Sequence, residues 1–193
     1  MDLKLSWDLF VIVFFAIVTA YSFIIGRRDT LKIIIASYIA TLTADGIGNI
    51  FQHIFSQTTF FNKLIAFFGF SGDTLQLSSI LKILLFIAII VILTIYGDYE
   101  VDQPPPQHAF INLLFLTTLS LLSCGLILST IIVFANGGSL IGGITAISES
   151  FKTVYEQSRF VKGLLDFHDI WFALPGFVFV LISIFQRRNR PLA

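Results

Sequence analysis

Between Asp8 and Arg27 lie eighteen residues, Leu9 to Gly26, without a single charge and rich in Phe, Ile and Val. A helix needs about 17–25 such residues to cross the hydrocarbon core of a bilayer. A soluble domain has little use for a helix that is apolar on every side. The pattern recurs. Ile33 to about Phe51 forms a second apolar run, interrupted by the polar stretch Thr41 to Asn49. About Leu77 to Tyr96, Ala109 to Phe134 and about Ile170 to Gln186 form three more. Only 12% of the 193 residues are charged, against about 25% in an ordinary soluble domain. The expected fold class is therefore all-α, a polytopic transmembrane helix bundle forming one membrane domain over 1–193. Spans are expected at about 9–26, 33–51, 77–96, 109–134 and 170–186. Five spans is the count, and four is the alternative if the second run only dips into the interface.

Charge excludes one class of partner. Twelve basic and twelve acidic side chains cancel, so no net field draws the chain to nucleic acid. The expected partners are the lipid bilayer and other membrane proteins or further copies of the chain. The single cysteine, Cys124, rules out an intrachain disulfide and any Cys-based metal site within the chain. Asp166, His168 and Asp169 gather before the fifth span, but both carboxylates sit where helix N-caps belong and no further ligand lies near His168. No metal, cofactor or catalytic residue is expected. Val18-Thr-Ala20 has the small residues of a signal-peptide cleavage site, yet the segment before it carries no positive bias and the apolar run continues past it. An uncleaved anchor is expected.

Basic residues near span ends set orientation. Arg27 and Arg28 follow the first span, and Arg187, Arg188 and Arg190 follow the fifth. With five spans both clusters fall on one side, so the N-terminus is expected outside and the C-terminus in the cytoplasm. Two amphipathic segments are expected between spans. Residues 60–68 carry Phe60, Phe61, Leu64, Ile65 and Phe68 along one helical stripe, too short to span and suited to the interface. Residues 146–163 alternate Glu149, Lys152, Glu156 and Arg159 on one face, which reads as one surface helix. Asn136 to Gly143 is a glycine-rich hinge without the Lys-Ser/Thr of a nucleotide loop. Pro175 and Gly176 should kink the fifth helix.

The second run holds the one internally polar constellation. Thr41, Asp45, Asn49 and His53 follow one another in steps of four, with Gln52 beside them. At 100° per residue from Thr41, Asp45, Asn49, Gln52 and His53 fall at about 40°, 80°, 20° and 120°. Ile47, Ile50, Phe51, Ile54 and Phe55 fall between about 180° and 320°, on the other side. A carboxylate at mid-bilayer costs about 2.5–3.5 kcal/mol on insertion scales, so Asp45 is a functional candidate by default. Facing the bundle, it would pair with groups such as Asn49 or Lys82. The competing arrangement leaves this band facing water at the membrane surface.

Trp7-Asp-Leu-Phe-Val-Ile-Val-Phe-Phe15, the Gly26-Arg-Arg28 ending of the first span and immediate re-entry into a second apolar run resemble the start of the colicin V production protein family. The likeness covers roughly the first 55 residues. It implies a bacterial inner-membrane protein linked to secretion or envelope function, and it carries over no catalytic residues. Two function classes are compatible with the whole chain. The first is a non-enzymatic scaffold, assembly factor or secretion- or transport-associated subunit. The second is a small oligomeric transporter or channel using Thr41, Asp45, Asn49, Gln52 and His53. Spanning segments contain no paired Ser/His, His-Glu-x-x-His or double-Asp motif, so an intramembrane enzyme is not expected.

Overall fold

The computed structural model describes residues 7–55, 74–97, 109–140 and 148–188. The expected amphipathic segment 60–68 and Arg190 lie outside the described residues. Among the described residues six helices succeed one another: α1 (Trp7–Phe55), α2 (Thr74–Tyr96), α3 (Ala109–Ala135), α4 (Glu149–Gln157), α5 (Arg159–Asp166) and α6 (His168–Arg188). Trp7–His53, Leu77–Tyr96 and Asn112–Ala135 are long and apolar enough to cross a membrane. A fourth crossing is available if Arg159–Asp166 and His168–Leu181, bent by 64°, act as one.

α1 is not one rod. Gly26 adopts φ 82° and ψ −178°, an extended mirror-image conformation open essentially to glycine alone. α3, one continuous helix, serves as a ruler for the two halves of α1. The Arg27 guanidinium sits over the Phe115 ring at 4.3 Å. Phe15 packs edge-on against Trp171, whose ring covers Gly125. Ala44 shares a buried cluster with Phe134. Residues 15 and 44 would stand about 43 Å apart on a straight helix, whereas positions 125 and 134 of α3 are separated by about 14 Å. The chain therefore reverses at Gly26, and limbs 7–25 and 27–55 lie antiparallel. The segment between the first two expected spans, 27–32, is already helical, and Thr30 donates to the Gly26 carbonyl at 2.8 Å to secure its first turn.

The remaining elements pack around this hairpin. α2 runs against the second limb: Ser78, Lys82 and Phe86 meet Gly48, Asp45 and Ala40 in turn. α3 occupies the centre, with Cys124, Leu126, Val133 and Phe134 fully buried. Outward faces are apolar: Ile17, Ile24, Leu84, Ile92, Leu114 and Phe177 are all exposed.

The single helix expected over 146–163 is two. Ser158, extended at φ −115° and ψ 119°, ends α4 and caps α5 by accepting from the Val161 N–H. The first limb holds it there, since Asp8 accepts from the Ser158 hydroxyl at 2.5 Å and the Phe160 N–H at 3.3 Å. The N-cap expected at Asp166 is also corrected. Asp166 is the last residue of α5 and accepts from the Tyr155 hydroxyl at 2.7 Å. That hydrogen bond raises the Tyr155 pKa above its ordinary value, because it favours the protonated phenol. Asp169 stands in the first turn of α6 and faces His168 Nε2 at 3.1 Å.

Pro175 lies inside α6, where it deprives the Trp171 carbonyl of its usual donor. One residue on, a hydroxyl from the second limb joins the ladder between Gly176 and Phe172. Tyr38 Oη accepts from the Gly176 N–H at 2.8 Å and donates to the Phe172 carbonyl. The second limb thus satisfies the polar groups that the interrupted helix frees.

Candidate functional site

Two neighbouring rows of the second limb build the site. Ala36, Ala40, Ala44 and Gly48 repeat every four residues and are buried, which lets α2 and α3 approach the backbone closely. Beside them run Ser37, Thr41, Asp45 and Asn49. Ser37 and Thr41 donate to the carbonyls of Ile33 and Ser37, each at 2.7 Å, so their hydroxyls are satisfied on their own helix. A carboxylate has no proton to give a carbonyl. Asp45, fully buried, must be met from elsewhere.

Lys82 of α2 meets it. The lysine stem lies in the recess left by Gly48, where a Cβ would overlap it. Its ammonium reaches Asp45 Oδ1 at 2.7 Å, Asn49 Oδ1 at 2.9 Å and the Gly138 carbonyl at 3.5 Å. An ammonium has three donors, and three acceptors receive them. Ser139 donates to the other carboxylate oxygen at 2.7 Å and accepts from Asn49 Nδ2 at 3.4 Å. Lys82, Asp45, Ser139 and Asn49 therefore close a circuit of hydrogen bonds. The Phe134 ring lies 5.6 Å from Nζ and offers its face to the charge. Ser78 donates to the Gly48 carbonyl at 3.5 Å alongside.

Lys82 and Asp45 side chains are 5% and 0% exposed. At that burial each charge needs the other, since removing ions from water costs several kcal/mol apiece. The pair is neutral as a unit, and it fastens α2 to the second limb and to the turn after α3. Chemically it offers charge compensation and rigidity.

Of the five residues expected on the polar face, Asp45 and Asn49 enter the circuit and Thr41 packs one turn away. Gln52 is half-buried and His53 exposed; among the described residues neither hydrogen bonds with the centre. Arg27 and Arg28 open the second limb, and Arg187 and Arg188 end α6. Gly138, Ser139 and Tyr38 are additions that the sequence does not single out. The steps Ala36-Ala40-Ala44-Gly48 carry a readable signal for close packing, and Lys82 is the one charge within 77–96. Ser139 carries none beyond its place in a glycine-rich segment. No protein-family model, curated protein or solved structure matches this chain.

Proposed function

We propose that this chain is a non-enzymatic integral membrane protein of the bacterial envelope, a scaffold, assembly or secretion-associated subunit. In this reading it crosses the membrane five times: both limbs of α1, α2, α3, and α6, from which α5 bends away by 64° at the outer surface. The antiparallel limbs support counting α1 twice, and the likeness of the first 55 residues to the colicin V production protein family supports the envelope assignment. Arg27 and Arg28 share an end of the bundle with the C-terminal end of α6, where Arg187 and Arg188 stand. By the basic-residue rule that end is cytoplasmic, with the N-terminus outside.

One observation carries the functional choice. The buried charges answer one another in a closed circuit, Lys82 to Asp45 and Asn49, and Ser139 to Asp45. A coupling site must exchange its partners with a solute or a proton path, whereas this centre is built to hold three segments together. The bundle then offers a fixed surface to another membrane protein. Cross-linking in the native membrane followed by native electrophoresis tests it. The chain is expected in a complex with a different membrane protein; migration only as a free chain or homo-oligomer contradicts the reading.

A further inference from the structure

Where the first limb faces the bent α5–α6 pair, an apolar groove of about 460 Å³ opens. Its size falls in the range of about 300–1,000 Å³ common to small-molecule sites. Val11 and Phe15 of the first limb and Leu164, Phe167 and Trp171 of the bent pair line it. Gly163 leaves the floor bare, and a Cβ built there meets nothing within 4 Å. Every lining residue is uncharged except Arg159.

Arg159 is exposed, and among the described residues it makes no hydrogen bond or ion pair. The nearby Asp8 carboxylate is taken up by Ser158 and the Phe160 N–H. Lys162, one turn on, lies 5.5 Å from the Tyr155 ring, and Glu156 precedes on α4. α5 buries Val161, Leu164 and Leu165 against the bundle, while Phe160 and Phe167 point outward beside Arg159. Exposed aromatics flanking a cation describe a helix lying in the membrane interface, its apolar side among acyl chains and its arginine reaching a phosphate.

We propose that this groove holds one acyl chain of an anionic phospholipid, with the lipid phosphate on Arg159. An apolar trough bordered by a cation that has no ion-pair partner among the described residues matches the two halves of such a lipid, and a neutral headgroup would bring the guanidinium no counter-charge. The assignment rests on the five-span reading above, which puts α5 at the outer membrane surface.

Trp171 reports on the groove directly. The chain has two tryptophans, so Trp7→Phe leaves Trp171 as the only fluorophore of its kind. The full-length variant is reconstituted into phosphatidylcholine vesicles containing mid-chain brominated phosphatidylglycerol or brominated phosphatidylcholine. Quenching by the anionic lipid is expected at about fivefold lower mole fraction, the preference one basic residue confers near an anionic headgroup. Arg159→Gln should erase the preference while both lipids still quench. Gly163→Leu should fill the groove and reduce quenching by both, with circular dichroism confirming that each variant is helical. Equal quenching by the two lipids in the parent overturns the site, as does a preference that survives Arg159→Gln. No quenching by either lipid overturns the membrane placement of this helix pair too, which separates the two failures.

Discussion

Replacing Lys82 with Met tests the buried centre at its most exposed assumption, that charge compensation rather than side-chain bulk holds it. Methionine keeps an unbranched stem for the recess at Gly48, so packing changes little. The ammonium and its bonds to Asp45, Asn49 and the Gly138 carbonyl disappear. Asp45, fully buried, then loses the ammonium that meets Oδ1 and keeps the Ser139 hydroxyl. Breaking one side of a buried pair costs about 3–5 kcal/mol, a large part of the about 5–15 kcal/mol that a folded protein holds in reserve. Asp45→Asn should cost less, about 1.5–3 kcal/mol, the worth of a hydrogen bond to a charged group. The lysine retains neutral acceptors, and its flexible stem allows it to seek the interface. Combining the two removes both charges, so the double variant should be more stable than Lys82→Met alone. Denaturation with sodium dodecyl sulfate in mixed micelles, monitored by circular dichroism, measures all three. A Lys82→Met variant within about 1 kcal/mol of the parent, or a double variant that loses the sum of the single losses, would refute charge compensation as the basis of the centre.

Particular contacts elsewhere in the bundle set further expectations. Tyr38→Phe removes the hydroxyl bridging Gly176 N–H and the Phe172 carbonyl and should cost about 1–3 kcal/mol, read in the same titration. Pro175→Ala should stabilise the helix only when combined with Tyr38→Phe, because a straightened ladder leaves no room for the inserted hydroxyl; equal effects in both backgrounds would exclude that coupling. Gly125→Ala puts a methyl where the Trp171 ring lies, and an overpacked core of this kind should lose about 1–3 kcal/mol, with a shifted tryptophan emission. Reporter fusions after Ala193 and within residues 97–108 should both read cytoplasmic, and an external signal at Ala193 would exclude the five-span topology.

Much of the helical layout was open to reading because apolar length is a local property. The second, fourth and fifth runs, expected at 33–51, 109–134 and 170–186, fall within the helical segments 27–55, Ala109–Ala135 and His168–Arg188. The polar row from Thr41 to Asn49 likewise reflects helical geometry, and the helix continues unbroken through it to Phe55. What the sequence concealed depends on contacts between distant segments. Ser139 meets Asp45 across 94 positions and Tyr38 meets Gly176 across 138, and neither serine nor tyrosine is unusual where it stands. The break at Ser158 was hidden for the same reason, since the helix pattern runs through it and Asp8, 150 positions away, supplies the bond. At Gly26 the residue type was visible while the sharpness of the turn was not, because only the packing of both limbs on α3 requires a full reversal.

The central claim is that the Asp45–Lys82 centre is a closed fastening and not a coupling site. Proton flux into proteoliposomes under an imposed potential, read with a pH-sensitive dye inside the vesicles, tests it most directly. The parent chain should give the leak of protein-free vesicles, and Asp45→Asn should leave that value unchanged. A flux above the protein-free leak that Asp45→Asn abolishes would contradict it.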